Sequence, residues 1–181
     1  RGGFIITGYG AVLAAHLALS LTGRAEATRV LAVVGAPLAL GTAVYTAWLF
    51  AQAKARDLWQ SPLLPPHLAV QAVMAGAGAL VLVVPSAPAL APVFAAASLT
   101  HVALALGEIS MGHPTAHAAL AARAMTHGRY ASFFWGGLTL AVLGTLLASG
   151  GLVVPGAVAG LVGLFLFEHA FVQAGQSVPL A

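Results

Sequence analysis

Residues 45–66 read YTAWLFAQAKARDLWQSPLLPP. The stretch closes a long apolar run and gathers Lys54, Arg56 and Asp57 into one short polar loop. Trp59 follows, and Pro62, Pro65 and Pro66 then stop any further helix. The chain of 181 residues is 60% hydrophobic and only 6% charged, so a loop with three charges must lie in water or against a partner. Trp59 then falls at membrane-interface depth, and the loop forms a lip of the functional face.

A soluble domain carries roughly a quarter charged residues, so this chain cannot cover itself with a polar surface. Apolar runs of bilayer-crossing length recur on both sides of the loop, which makes it an all-α polytopic membrane protein. The formal charge of +3 comes from Lys and Arg in loops. It reports topology and gives no sign of nucleic-acid binding. With no cysteine, the chain itself offers no disulfide, thiolate iron–sulfur cluster or thiolate zinc site. Any redox centre must be bound noncovalently or belong to another subunit. The first residue is Arg1 rather than Met, which suggests sequence missing ahead of it.

The sequence predicts one transmembrane domain over 1–181, with six spans near 4–21, 27–53, 66–84, 89–110, 131–148 and 154–172. Pro37 lies inside the second span, where membrane neighbours tolerate a kink, and Pro65 and Pro66 suit the first turn of the third. Residues 115–127 are too short and polar to span and read as an interfacial helix, with Thr115 as N-cap and Gly128 as stop. Phe133, Phe134 and Trp135 suggest an aromatic belt. Six spans put both ends on one side, together with Lys54, Arg56, Arg123, Arg129 and Arg1, against Arg24 and Arg29 on the other. That bias makes the first side cytoplasmic.

Ionisable residues within spans are expensive and need a reason. Glu108 lies near the end of the fourth span, with His101 two turns back on the same face. Glu168 and His169 lie in the last third of the sixth. Spans two, four and six all end on the same side, so Lys54, Arg56, Trp59, Glu108, Glu168 and His169 are expected at one pole, with His101 deeper. Such a set suits a quinone, which needs an apolar slot, donors at its carbonyls and groups that move protons. His101 or His169 would bond a quinone oxygen, Glu108 or Glu168 would relay protons, and Tyr45 would supply a phenol donor. No metal site is predicted, since Pro114 interrupts the His113/His117 pair and no carboxylate lies near. The bland readings stand beside these. The two glutamates can reach the interface or pair with Arg, and His101 and His16 can be helix–helix partners. His113, His117 and His127 can be solvated, and Trp59 and residues 133–135 can be lipid anchors.

Tyr45-Thr46, Lys54-Ala55-Arg56 and the run Leu58-Trp59-Gln60-Ser61-Pro62-Leu63-Leu64-Pro65 resemble the signature of the polysulfide reductase membrane-subunit family, the NrfD-like proteins. The tail, Glu168-His169 followed by Gln173-Ala174-Gly175-Gln176-Ser177-Val178-Pro179-Leu180, is similar to the end of the same proteins. The resemblance implies a haem-free anchor in a bacterial or archaeal cytoplasmic (inner) membrane. It implies exchange of electrons between menaquinone or ubiquinone and a ferredoxin-like iron–sulfur subunit, which serves a molybdopterin catalytic subunit. It also implies an eight-span pattern of which this chain matches spans three to eight. No family catalytic residue transfers onto Glu108, His101 or His169. Two other classes compete: a b-type cytochrome anchor with haem between His101 and His169, and a proton-coupled transporter using Glu108 and Glu168.

Overall fold

Lipid offers no hydrogen bonds, so a chain this apolar must satisfy its backbone within helices. The computed structural model describes residues 2–179 and builds them as seven helices. They are α1 (Gly2–Leu21), α2 (Ala25–Gln52), α3 (Leu64–Val83), α4 (Leu90–Ser110), α5 (Ala116–Thr126), α6 (Ala131–Ser149) and α7 (Val153–Ser177). A short 3-10 turn, Asp57–Gln60, lies between α2 and α3. Every helix but α5 is long and apolar enough to cross a membrane. Arg1, which entered the charge bias, and Leu180 and Ala181 at the tail lie outside the described residues.

Local chemistry sets the helix ends. α3 opens with Pro65 and Pro66 in its first turn, where a missing N–H costs nothing. Thr115 caps α5 as expected, its hydroxyl accepting from the Ala118 N–H at 3.1 Å. Gly23 (φ +70°) and Gly151 (φ +89°) turn α1 into α2 and α6 into α7 in a backbone region that favours glycine. α2 runs through Pro37 without a break. α7 continues to Ser177, past the expected end near 172, because nothing before Pro179 breaks a helix and its last carbonyls find a cationic partner, described below.

α3, α4, α6 and α7 form the packed bundle, α2 lies along α3, and α1 lies along α2. The closest approach is between α6 and α7. A Cβ on Gly144 would stand 2.6 Å from the Gly156 carbonyl oxygen, and one on Gly163 equally near that of Gly137. Only glycine allows this backbone-to-backbone contact, by which membrane helices gain packing that lipid cannot provide. Two apolar clusters fill the bundle, one around Met74, Phe94 and Ala141 and one at the loop end around Trp59, Met125 and Phe134.

Two aromatic expectations are corrected. Trp59 is no lipid anchor: it is 8% exposed and belongs to the core, because the loop folds inward over the bundle. Phe134 is fully buried, so of the expected belt only Phe133 and Trp135 keep an outward surface. On a helix, three consecutive residues cannot share one face.

Candidate functional site

The polar loop is fastened at three places. The Arg56 guanidinium donates to the carbonyls of Val178 (2.7 Å), Gln176 (3.0 Å) and Gly175 (3.3 Å). These belong to the last turn of α7 and its exit, where carbonyls lack helical partners and the helix dipole favours a cation. The Trp59 ring meets Phe50 of α2 edge-on at 4.8 Å and occupies the space that a side chain at Gly175 would need. Asp57 accepts from the Thr115 hydroxyl at 2.5 Å, which ties the loop to the start of α5. Lys54 stays exposed.

Beyond the turn, the Ser61 hydroxyl donates to Glu108 Oε2 of α4 at 2.7 Å, and the Leu63 N–H donates to the Ser61 oxygen at 3.2 Å. Ser61 and Glu108 line two cavities at once. The outer one is an open cleft of about 320 Å³, whose walls include Leu58, Gln60, Pro62, Met111 and His113. The inner one, about 10 Å³, is enclosed by Leu64, His67, Met125, Phe134, Phe167 and Phe171 among others. A void of that size holds about one water.

His67 opens from the inner void toward the centre of the bundle. Its Nε2 lies 2.8 Å from Nδ1 of His101, and both rings pack on Phe167. One hydrogen is shared across that contact when both rings are neutral. If His67 donates, His101 carries its own hydrogen on Nε2; if His101 donates, its Nε2 is a bare acceptor. Either way the Nε2 of His101, fully buried, has no partner among the described residues, nor has the hydroxyl of Ser98 one turn earlier. Glu168 enters at the depth of Phe167, half-buried and within reach of the Gln71 amide on α3. The resulting order is outer cleft, Ser61 and Glu108, inner void, His67, His101.

A family model described as polysulphide reductase, NrfD, matches residues 6–179. The chain belongs to the NrfD family. It is a membrane subunit of the oxidoreductase complexes that this family serves. No curated protein and no solved structure matches it.

In this NrfD chain the expected pole is assembled: the ends of α2, α4 and α7 meet around the loop, and His101 lies deeper. Two candidates stand apart. Tyr45 packs its ring on Gly2 of α1, away from both cavities, because the hairpin partner of α2 is α1 at that level. His169 follows Glu168 by one helical step and so faces elsewhere, its ring tilted against Phe133 at 4.7 Å and edge-on to Tyr130 at 6.4 Å. Neither glutamate pairs with an arginine among the described residues; the ion pair there is Arg29–Glu26, in the opposite turn. His16 lines an α1–α2 groove, and His113 and His127 line clefts beside α5.

Sequence reasoning passed over Ser61, His67 and Gln71. The signal was present: His67 and Gln71, at i and i+4, are the polar pair in an otherwise apolar third span. Both are buried, which in a membrane helix calls for a partner.

Proposed function

We propose that this NrfD subunit exchanges electrons and protons between a membrane quinone and an iron–sulfur partner subunit, with the outer cleft as the ring site. The observation that carries this reading is the position of Glu108, hydrogen-bonded to the signature loop and shared by an open cleft and a closed path to buried histidines. The cleft has the volume of a small-molecule site, for which about 300 Å³ is the lower end. Leu58, Pro62 and Met111 would hold the ring, and Gln60 and His113 offer donors to its oxygens. Menaquinone and ubiquinone share these requirements. A bound quinone supplies a couple of two electrons and two protons. Glu108 takes or returns a proton at its carboxylate, Ser61 orients that carboxylate, and His67 and His101 exchange protons behind it through the water-sized void.

Electrons need a partner over the same pole. A ferredoxin-like iron–sulfur subunit would cover the loop, with Lys54 as an exposed contact, and pass electrons to or from a molybdopterin subunit. We read the haem alternative as weaker because the two histidines have different surroundings: His101 packs against His67 and Phe167, whereas His169 packs against Tyr130 and Phe133.

The test is quinone-pool turnover by the purified complex carrying Glu108→Gln or His101→Ala, with assembly and dye-linked activity of the catalytic subunit as controls. Quinone turnover should fall by about 10²-fold while dye activity holds. Unchanged quinone turnover in both variants would sink the assignment.

A further inference from the structure

A second recessed surface lies along α5 beside the outer cleft, with His113 on the wall of both. One groove of about 420 Å³ is lined by Ile109, His113, Ala119, Ala122, Arg123, Thr126 and His127. It is basic at its mouth, with exposed Arg123 and His127. The His127 ring is held there by a 2.8 Å contact between its Nδ1 and the Thr126 hydroxyl. Arg129 does not join it, being turned onto the Tyr130 ring.

The next groove, about 500 Å³, runs between α4 and α6 along Val102, Leu106, Trp135, Leu138, Val142 and Leu146. The two adjoin. Ile109 of the basic groove and Leu106 of the apolar one are adjacent on the same face of α4. Trp135 bridges them from α6: it lines the apolar groove while its indole N–H donates to the carbonyl of Thr126 at 2.9 Å. From Trp135 to Leu146 the wall extends roughly 16 Å, at about 1.5 Å per residue. That is half of a hydrocarbon core roughly 30 Å thick, the depth of one leaflet. Neither groove is lined by Asp or Glu among the described residues.

The geometry points to a binding site for one anionic phospholipid, its headgroup phosphate at Arg123 and His127 and one acyl chain along the α4–α6 groove. The charge of the mouth selects the headgroup, and the length and apolar lining of the groove select a chain. An acidic protein surface would use the mouth alone and leave the groove beneath it unfilled. This inference is independent of the quinone reading, since none of its residues lies between the outer cleft and the histidine pair except His113, which is left unaltered in the test.

Native mass spectrometry of the purified complex would test it, after equilibration with equal amounts of phosphatidylglycerol and phosphatidylcholine of matched chains. The wild type should retain phosphatidylglycerol over phosphatidylcholine by about fivefold or more, the effect of one basic side chain near an anionic headgroup. Arg123→Gln with His127→Gln should abolish that preference and leave phosphatidylcholine retention as it was. Val142→Trp, which fills the apolar groove, should lower retention of both lipids. Thermal unfolding in detergent, unchanged from the wild type, checks that each variant is folded. No preference in the wild type, an intact preference in the double variant, or full retention in Val142→Trp would each overturn the site. So would retention of quinone in place of phospholipid.

Discussion

The α1–α2 hairpin and the α3–α4–α6–α7 bundle are built from helices equally able to cross a bilayer, yet they bury very different amounts of themselves. None of the most apolar stretch of α1 is buried within the protein, against 39% in α6 and again in α7. The contact surfaces explain this. Gly137, Gly144, Gly156 and Gly163 bring α6 and α7 together at backbone distance, whereas Gly3, Gly8 and Gly10 of α1 face open space. The polar groups divide the same way: Ser61, Gln71, His67, His101, Glu108 and Glu168 all face the bundle, while the hairpin has the solvent-exposed Arg29–Glu26 pair at its turn. Hydrophobicity therefore places a helix in the membrane, and small and polar residues decide which helices form the protein's interior.

The comparison breaks most directly at the glycines. Gly163→Leu should push α6 off α7 and destabilise the subunit by about 3 kcal/mol or more, since the new side chain meets backbone that cannot yield. Gly10→Leu should leave stability unchanged. Thermal unfolding of the complex in detergent reads both, and equal effects would erase the distinction drawn between the two regions.

A smaller loss is expected at the loop. Arg56→Gln removes charge-assisted bonds to the α7 carbonyls and should cost about 2 kcal/mol. It should also raise protease sensitivity at residues 54–61 before global unfolding. If the loop stays protected, Trp59 and Asp57 hold it without Arg56.

The buried histidines sharpen the contrast in a different way. A double-mutant cycle over His67→Ala and His101→Ala should show a coupling of about 1 kcal/mol, the scale of interhelical hydrogen bonds in membranes. Purely additive losses would mean that the rings pack without a working hydrogen bond. Least of all is expected from Arg29→Gln in the hairpin turn. Its ion pair is exposed on both sides, so the change in stability should stay within roughly 0.5 kcal/mol in the same unfolding assay.

The six helices long and apolar enough to cross a membrane, the short helix with its Thr115 cap and the meeting of three helix ends at one pole were legible from residues alone. Span length, proline, glycine and chain direction are local properties, and alternation across the membrane follows from counting. The family signature was legible too, in the loop from Leu58 to Pro65. The arrangement within the pole was not. Trp59 looked like an anchor and is core, Tyr45 looked like a donor to the site and packs on α1, and His67 attracted no notice although it touches His101.

One physical reason covers these cases. In water, an apolar stripe marks the face of a helix that turns inward, so the sequence reports orientation. In lipid the outer face is as apolar as the core, and that stripe disappears. The sequence by itself determined that these helices are long and apolar enough to span the membrane, roughly where most of them end and which ends lie together. The tertiary structure decided which faces meet, and with them the Ser61–Glu108 bond, the His67–His101 pair and the clefts beside α5.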